Sequence, residues 1–319
     1  MQRLKTVNIF AFIVLGLFLA ASGLVAVIIL IKPDFVAQTA LQTLIIYTLA
    51  FGIPSLVYGF YVRKTQGRSF AEIFSFRRIS GASLLLCAAL GFLIQPLMSL
   101  VAVLASFIFT DITSLSVEQM SQMPLPLFVL TTGVLPAFFE ELVCRGMMLD
   151  GYRKTPLWYM LIIPALFFGL LHMNFQQISY AFLAGIFLAY LVHITGSIWA
   201  SMTVHFIVNG FQSLLVWLMT QSSLAENPVV AGLLGSTEEV APLKALTSAL
   251  ISAGIALPFF LLCLYLLRRI NRTIQPASNQ QPLPPHWAES GILMYVVLGL
   301  MILMAVIVEI FMPYMTDLL

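Results

Sequence analysis

The sequence predicts an all-α membrane protein: a polytopic bundle of about nine transmembrane helices with its N-terminus in the cytoplasm. Three observations carry this prediction. Residues of the AVILMFWYC set make up 61% of the 319-residue chain and charged residues only 9%, whereas soluble domains are nearer half apolar and a quarter charged. The apolar residues gather into runs that reach the roughly 20 residues a spanning helix needs. The basic residues between those runs fall in alternate loops, the asymmetry that marks cytoplasmic loops.

The first run, residues 7–31, follows Arg3 and Lys5. Its basic start and Ala20-Ala21-Ser22 imitate a signal peptide, but the run is longer than a signal-peptide core and reads as a retained helix. The second run covers 39–62. The third, 80–109, contains Gln95-Pro96, which predicts a kink or a tilt. The fourth covers 124–149. The fifth, 156–172, is short and carries Pro164; the others are 176–194, 197–219, 243–267 and 288–311. They group into three N-terminal spans (1–123), a four-span core (124–219) and two C-terminal spans (220–319). No repeat is evident, and the stretches 220–242 and 273–287 read as connectors.

The loops test the count. Arg3 and Lys5, then Arg63, Lys64, Arg68, Arg77 and Arg78, then Arg153 and Lys154, then Arg268, Arg269 and Arg272 all fall on one side if there are nine spans. The alternate connectors hold Asp34, Asp111, Glu118, Glu226, Glu238 and Glu239, with Lys32 and Lys244 the only bases near them. One span more or fewer breaks that agreement. The C-terminus, Thr316 to Leu319, then lies outside. A net charge of +2 is too small to point to nucleic acid as a partner. Cys87, Cys144 and Cys263 lie inside apolar runs, without disulfide-framework or zinc spacing, and read as small buried side chains.

Against this apolar background the ionisable groups stand out, because such groups inside a span face the protein interior or a water-filled cavity. The fourth run contains Glu140-Glu141-Leu-Val-Cys-Arg145-Gly146. Glu141 and Arg145 are four apart with the glutamate first, which sets them on one face as an ion pair. Glu140 points about 100° away and has Val143 and Cys144 at the corresponding positions. Local geometry therefore divides the labour, with Glu141 and Arg145 bracing the helix and Glu140 left for proton transfer. The fifth run ends Phe168-Gly-Leu-Leu-His172, and the seventh holds His205-Phe-Ile-Val-Asn209 with Gln212 continuing the same face. Histidine shuttles protons or binds metals near neutral pH, and the asparagine amide offers neutral donors for a developing oxyanion. His193 and His286 read as interfacial bystanders. Counting about 1.5 Å per residue from the cytoplasmic ends puts Glu140 roughly 15 Å deep, His205 roughly 12 Å and His172 roughly 24 Å, so His172 stands apart.

Glu140-Glu141-x-x-x-Arg145-Gly146, Phe168-x-x-x-His172 and His205-x-x-x-Asn209, with Gly196-Ser197-Ile198-Trp199-Ala200 leading to the last, resemble in order the motifs of the CPBP intramembrane proteases. This is the CAAX protease and bacteriocin-processing family, related to the type II CAAX prenyl endopeptidases. The resemblance covers roughly residues 125–215. Cys144 stands where an aromatic is common in that family. The resemblance implies that Glu140 and His172 activate the attacking water, that His205 and Asn209 stabilise the oxyanion, and that Glu141 and Arg145 support the site. If the activity needs zinc or another divalent metal, Glu140, His172 and His205 are its ligands. Asn209 is a poor zinc ligand and there is no His-Glu-x-x-His, so the reading favours no cofactor. Leu149-Asp150-Gly151 hints at a site-2 metalloprotease motif, without that family's zinc motif.

The expected protein is thus an integral membrane endopeptidase, in a bacterial cell membrane by family habit. Its partners are the bilayer and a peptide or protein substrate, and its site opens to the cytoplasmic side. A prenylated tail, a secreted peptide precursor and a bacteriocin all fit. The alternatives are a proton-coupled transporter, for which Glu309 and Gln95 could serve, and a non-catalytic immunity or scaffold protein.

Overall fold

The structure is a computed structural model that describes residues 2–32, 39–109, 123–220, 242–274 and 291–316. His286, most of the two long connectors and the acidic loop residues Asp34, Asp111, Glu118, Glu226, Glu238 and Glu239 lie outside the described residues. The described chain is helical, with α1 at Gln2–Ile31, α2 at Thr39–Gln66, α3 at Gly81–Ser106 and α4 at Leu125–Tyr152. There follow α5 at Leu157–Leu170, α6 at Phe175–Thr195, α7 at Ile198–Thr220, α8 at Pro242–Ile270 and α9 at Ile292–Thr316. Eight of these nine are long and apolar enough to cross a membrane, and the chain is an integral, multi-pass membrane protein.

The exception is α5, at 14 residues. At about 1.5 Å per residue it falls short of the roughly 30 Å hydrocarbon core. Its end is encoded locally. Met173 takes a positive φ of 51°, and Asn174 caps the next helix by accepting the Gln177 backbone N–H at 2.8 Å. His172 therefore sits on the turn between α5 and α6, not on a helix as the sequence predicts.

Prolines and π-helical turns shape the middle of the bundle. Pro96 stays within a continuous α3. Residues 47–52 of α2 and 130–134 of α4 are π-helical, just ahead of Pro54 and Pro136. A proline has no N–H for the carbonyl four residues back and crowds it, and the wider turn accommodates both deficits. A third π-helical stretch, 142–148, follows the two glutamates. Such turns concentrate at functional sites.

The most buried span is α4, with 56% of its most apolar stretch inside the protein against 22–44% for the other long helices. One apolar cluster joins α4 to α1, α2, α5, α6, α7 and α9, and a second joins α3, α6, α7 and α8. Cys87 and Cys144 are buried free thiols within these clusters and Cys263 is half-buried beside them.

The basic loops gather at one end. Arg68 grips Asp150 through both terminal nitrogens, at 2.5 and 2.9 Å. Tyr58 donates to Asp150 Oδ2 at 3.1 Å, and Arg153 Nε stands 3.5 Å from Oδ1. Burial acts to lower the Arg68 pKa, but its hydrogen bonds and ion pair with Asp150 outweigh that and hold it above the ordinary arginine value. The hint of a metalloprotease motif at Asp150 therefore resolves into a structural anchor at the basic end.

Candidate active site

Packing of α4 against α7 builds the site. The two helices run antiparallel, and their register is set by a Thr132–Ser213 hydroxyl contact of 2.6 Å. Gly133 lies against Gly210, where a Cβ would come within 3.2 Å of the facing Cα. In that register Glu140 and Glu141 meet His205. Glu141 is fully buried and its Oε1 accepts from Arg145 Nη1 at 2.8 Å, the predicted ion pair. The same oxygen accepts from His205 Nδ1 at 2.9 Å. The role predicted for Glu141, as partner of Arg145 alone, is therefore incomplete, since it also fixes the ring of His205. An ionised carboxylate only accepts, so the His205 proton lies on Nδ1.

Glu140 is 7% exposed. Its Oε1 accepts from Tyr47 on α2 at 2.7 Å, and its Oε2 has no hydrogen-bond partner. The nearest titratable nitrogen is His205 Nε2, 3.7 Å from that oxygen. The two glutamates thus address opposite nitrogens of one imidazole. Asn209, one turn beyond His205, donates from Nδ2 to His205 Nε2 at 3.2 Å.

Phe168 ties α5 to this arrangement. Its ring stands edge-on to His172 and to His205, with centroid separations of 5.4 and 5.6 Å. Arg145 lies over its face at 4.4 Å, a cation–π contact in a desolvated setting. The depth gap that residue counting gives His172 closes here, because counting assumes helices of one tilt starting at one level. His172 accepts from Gln177 Nε2 at 3.1 Å on Nδ1, which leaves its neutral proton on Nε2. Arg145 also donates to the Gly185 carbonyl at 3.2 Å, where α6 passes close to α5.

A cavity of about 800 Å³ runs from these groups. His172, His205 and Asn209 line it, with Phe168, Gln95 and Gln212 among the other walls. Glu140 stands against His205 rather than in the lining. Among the described residues, no three His, Cys, Asp or Glu side chains are gathered to hold a metal ion, and Glu140, His172 and His205 do not form such a trio as they stand. Tyr47 and Gln177 are the contacts that sequence reasoning does not supply. Tyr47 lies 93 residues from Glu140 in a different span, and its one trace is a hydroxyl-bearing ring inside an apolar run. Gln177 follows an Asn174 cap that is recognisable only once α5 is known to stop at Leu170.

Residues 122–211 match the family model described as type II CAAX prenyl endopeptidase, Rce1-like. That stretch, less than a third of the chain, is similar to the CAAX proteases. The match spans α4 to α7 and includes Glu140, Glu141, Arg145, His172, His205 and Asn209. No curated protein and no solved structure matches the chain. The matched family is one of membrane proteases. Of the residues that the motifs single out, Glu140, Glu141, Arg145, His205 and Asn209 meet at the α4–α7 contact, and His172 reaches it from the α5–α6 turn through Phe168.

Proposed function

We propose that this protein is an intramembrane endopeptidase of the CAAX protease kind that uses Glu140 as its general base. The observation that carries the proposal is the state of that carboxylate: one oxygen is held by Tyr47, the other lacks a hydrogen bond, and His205 Nε2 is 3.7 Å away beside the cavity. A buried carboxylate oxygen left without a partner costs stability and calls for a functional reason.

In the proposed reaction a water sits between Glu140 Oε2 and His172. The Nε2–H of His172, set by Gln177, orients the water, and Glu140 takes its proton as the oxygen attacks the scissile carbonyl. The resulting oxyanion is met by Asn209, whose amide keeps one N–H beyond the one given to His205. With its proton on Nδ1, held by Glu141, His205 accepts from Asn209 on Nε2 and so sets the direction of that amide. The C–N bond then breaks, and Glu140 returns its proton to the leaving amine. Glu141 and Arg145 act through position. Asn209 serves as a donor here, and this favours a reaction without a metal cofactor. The substrate is a peptide segment of a membrane-associated chain.

The test is cleavage of membrane-anchored peptides by purified protein in liposomes, before and after exhaustive chelation with metal content measured. The expected result is cleavage that persists without metal and vanishes in Glu140→Ala. Full activity of Glu140→Ala overturns the general-base assignment. Activity lost on chelation and restored by a divalent ion overturns the metal-free reading.

A further inference from the structure

The cavity has a direction. The basic end is fixed by contacts between loops and helix termini. Arg3 donates to Gln66, Arg153 donates to Ser75, Ser197 donates to the Arg77 carbonyl, and Asn271 donates to Ser83. These bring together the start of α1, the end of α2, the starts of α3 and α7, and the ends of α4 and α8. The cavity walls lie in the other direction. They take positions 94–102 of α3, which starts at 81, and 128 and 132 of α4, at the end remote from Tyr152. They take positions 176–188 of α6, which reaches the basic end at 195, and 204–216 of α7, which leaves it at 198. On α3, α4 and α6 the walls lie from mid-depth outward, and on α7 they begin about two turns in from the basic end. The walls thus run away from the basic side, to which the sequence reading has the site open.

The chemistry of the walls is as uniform as their direction. Gln95, Ser99, Thr132, Gln177, Asn209 and Gln212 give neutral donors and acceptors, and the described lining holds no Lys, Arg, Asp or Glu. By contrast, a smaller cavity of about 390 Å³ at the basic end is lined by Glu72, Arg77 and Arg153. Ser99 and Gln212 are exposed. Side-chain amides can pair with the N–H and C=O groups of a peptide backbone, and a charged side chain entering there meets no counter-charge in the described lining.

We infer that the active-site cavity is entered from the extracytoplasmic side and takes an uncharged, extracytoplasmic peptide segment of a membrane-anchored or exported chain. The basic loops mark the cytoplasmic face, and the cavity opens away from them. A lipidated tail lying on the cytoplasmic surface has no direct path to it. The substrate class rests on the peptidase reading above, whereas the side of entry does not.

Two measurements test it on the full chain in cells. In a Cys263→Ser background, Ser99→Cys, Gln212→Cys and Lys64→Cys are treated with a membrane-impermeant maleimide before and after permeabilisation. The expected result is labelling of the first two in intact cells and of Lys64→Cys only after permeabilisation. Labelling of all three only after permeabilisation overturns the side of entry, and no labelling of the first two under either condition overturns a water-filled entrance. Two reporters then place one neutral peptide segment on the extracytoplasmic or the cytoplasmic side of the same membrane helix. The extracytoplasmic reporter should be cut at least tenfold faster, and Glu140→Gln should abolish that cleavage. Preferred cleavage of the cytoplasmic reporter overturns the substrate class. Outside labelling with neither reporter cut overturns the peptidase reading and leaves the side of entry standing.

Discussion

Asp150 and Glu140 are both buried acids on α4, one helical segment apart, and the protein treats them in opposite ways. Asp150 is 1% exposed and answers Arg68, Tyr58 and Arg153. Glu140 is 7% exposed and receives one hydrogen bond, from Tyr47, while its second oxygen has none. A buried charge whose task is to join helices is surrounded by partners, since each missing partner costs desolvation energy. A carboxylate proposed to accept a proton needs an oxygen clear. Glu141 also has one, its Oε2, but its other oxygen is held by Arg145 and His205, whereas that of Glu140 is held by a neutral tyrosine. Glu141 lies between the two cases, with Arg145 on one side and His205 on the other.

That contrast makes graded predictions. Glu140→Gln should cost about 10³-fold in cleavage rate, the range of a lost general base, with thermal unfolding in detergent unchanged. A large loss of stability instead would place Glu140 with Asp150. Glu141→Gln should cost about 10²-fold and also lower protein yield, because it weakens the hold on His205 and leaves Arg145 without its counter-charge. Yield and rate equal to the parent would break the intermediate position of Glu141. Asp150→Ala should lower unfolding stability by about 2 kcal/mol, below the range for a fully buried pair because Arg68 can reach water. Its rate per folded molecule should stay within about twofold if it does not touch the reaction. Tyr47→Phe should cost about tenfold in rate, the size of one hydrogen bond to a charged group, with little change in melting temperature. A wild-type rate in that variant would show that Glu140 needs no anchor.

Much of this protein is readable along the chain because the bilayer imposes rules of short range. A run of about 20 apolar residues announces a span. Eight such helices are present, and the ninth, α5, is shorter than a full span because Met173 and the Asn174 cap end it early. The Glu141–Arg145 pair is likewise local, a matter of i and i+4. The meeting of His205 with Glu141, 64 residues apart, is not, and neither is the anchoring of Glu140 by Tyr47 or the perch of His172 on a turn. A π-helical turn shifts the phase of all that follows by about one residue, near 100°. Three such stretches stand between the apolar pattern and the direction in which Tyr47, Glu140 and Arg145 point.

The sequence by itself determined the class of protein, the polar residues that stand out inside the apolar runs, and the Glu141–Arg145 pair within one helix. Tertiary structure alone decided that both glutamates converge on one imidazole, that Asp150 is an anchor, and that the cavity runs away from the basic loops. The physical reason is that apolar burial and i,i+4 pairing are properties of one helix, whereas rotation, register and depth are set between helices, by contacts such as Gly133 on Gly210 and Thr132 on Ser213.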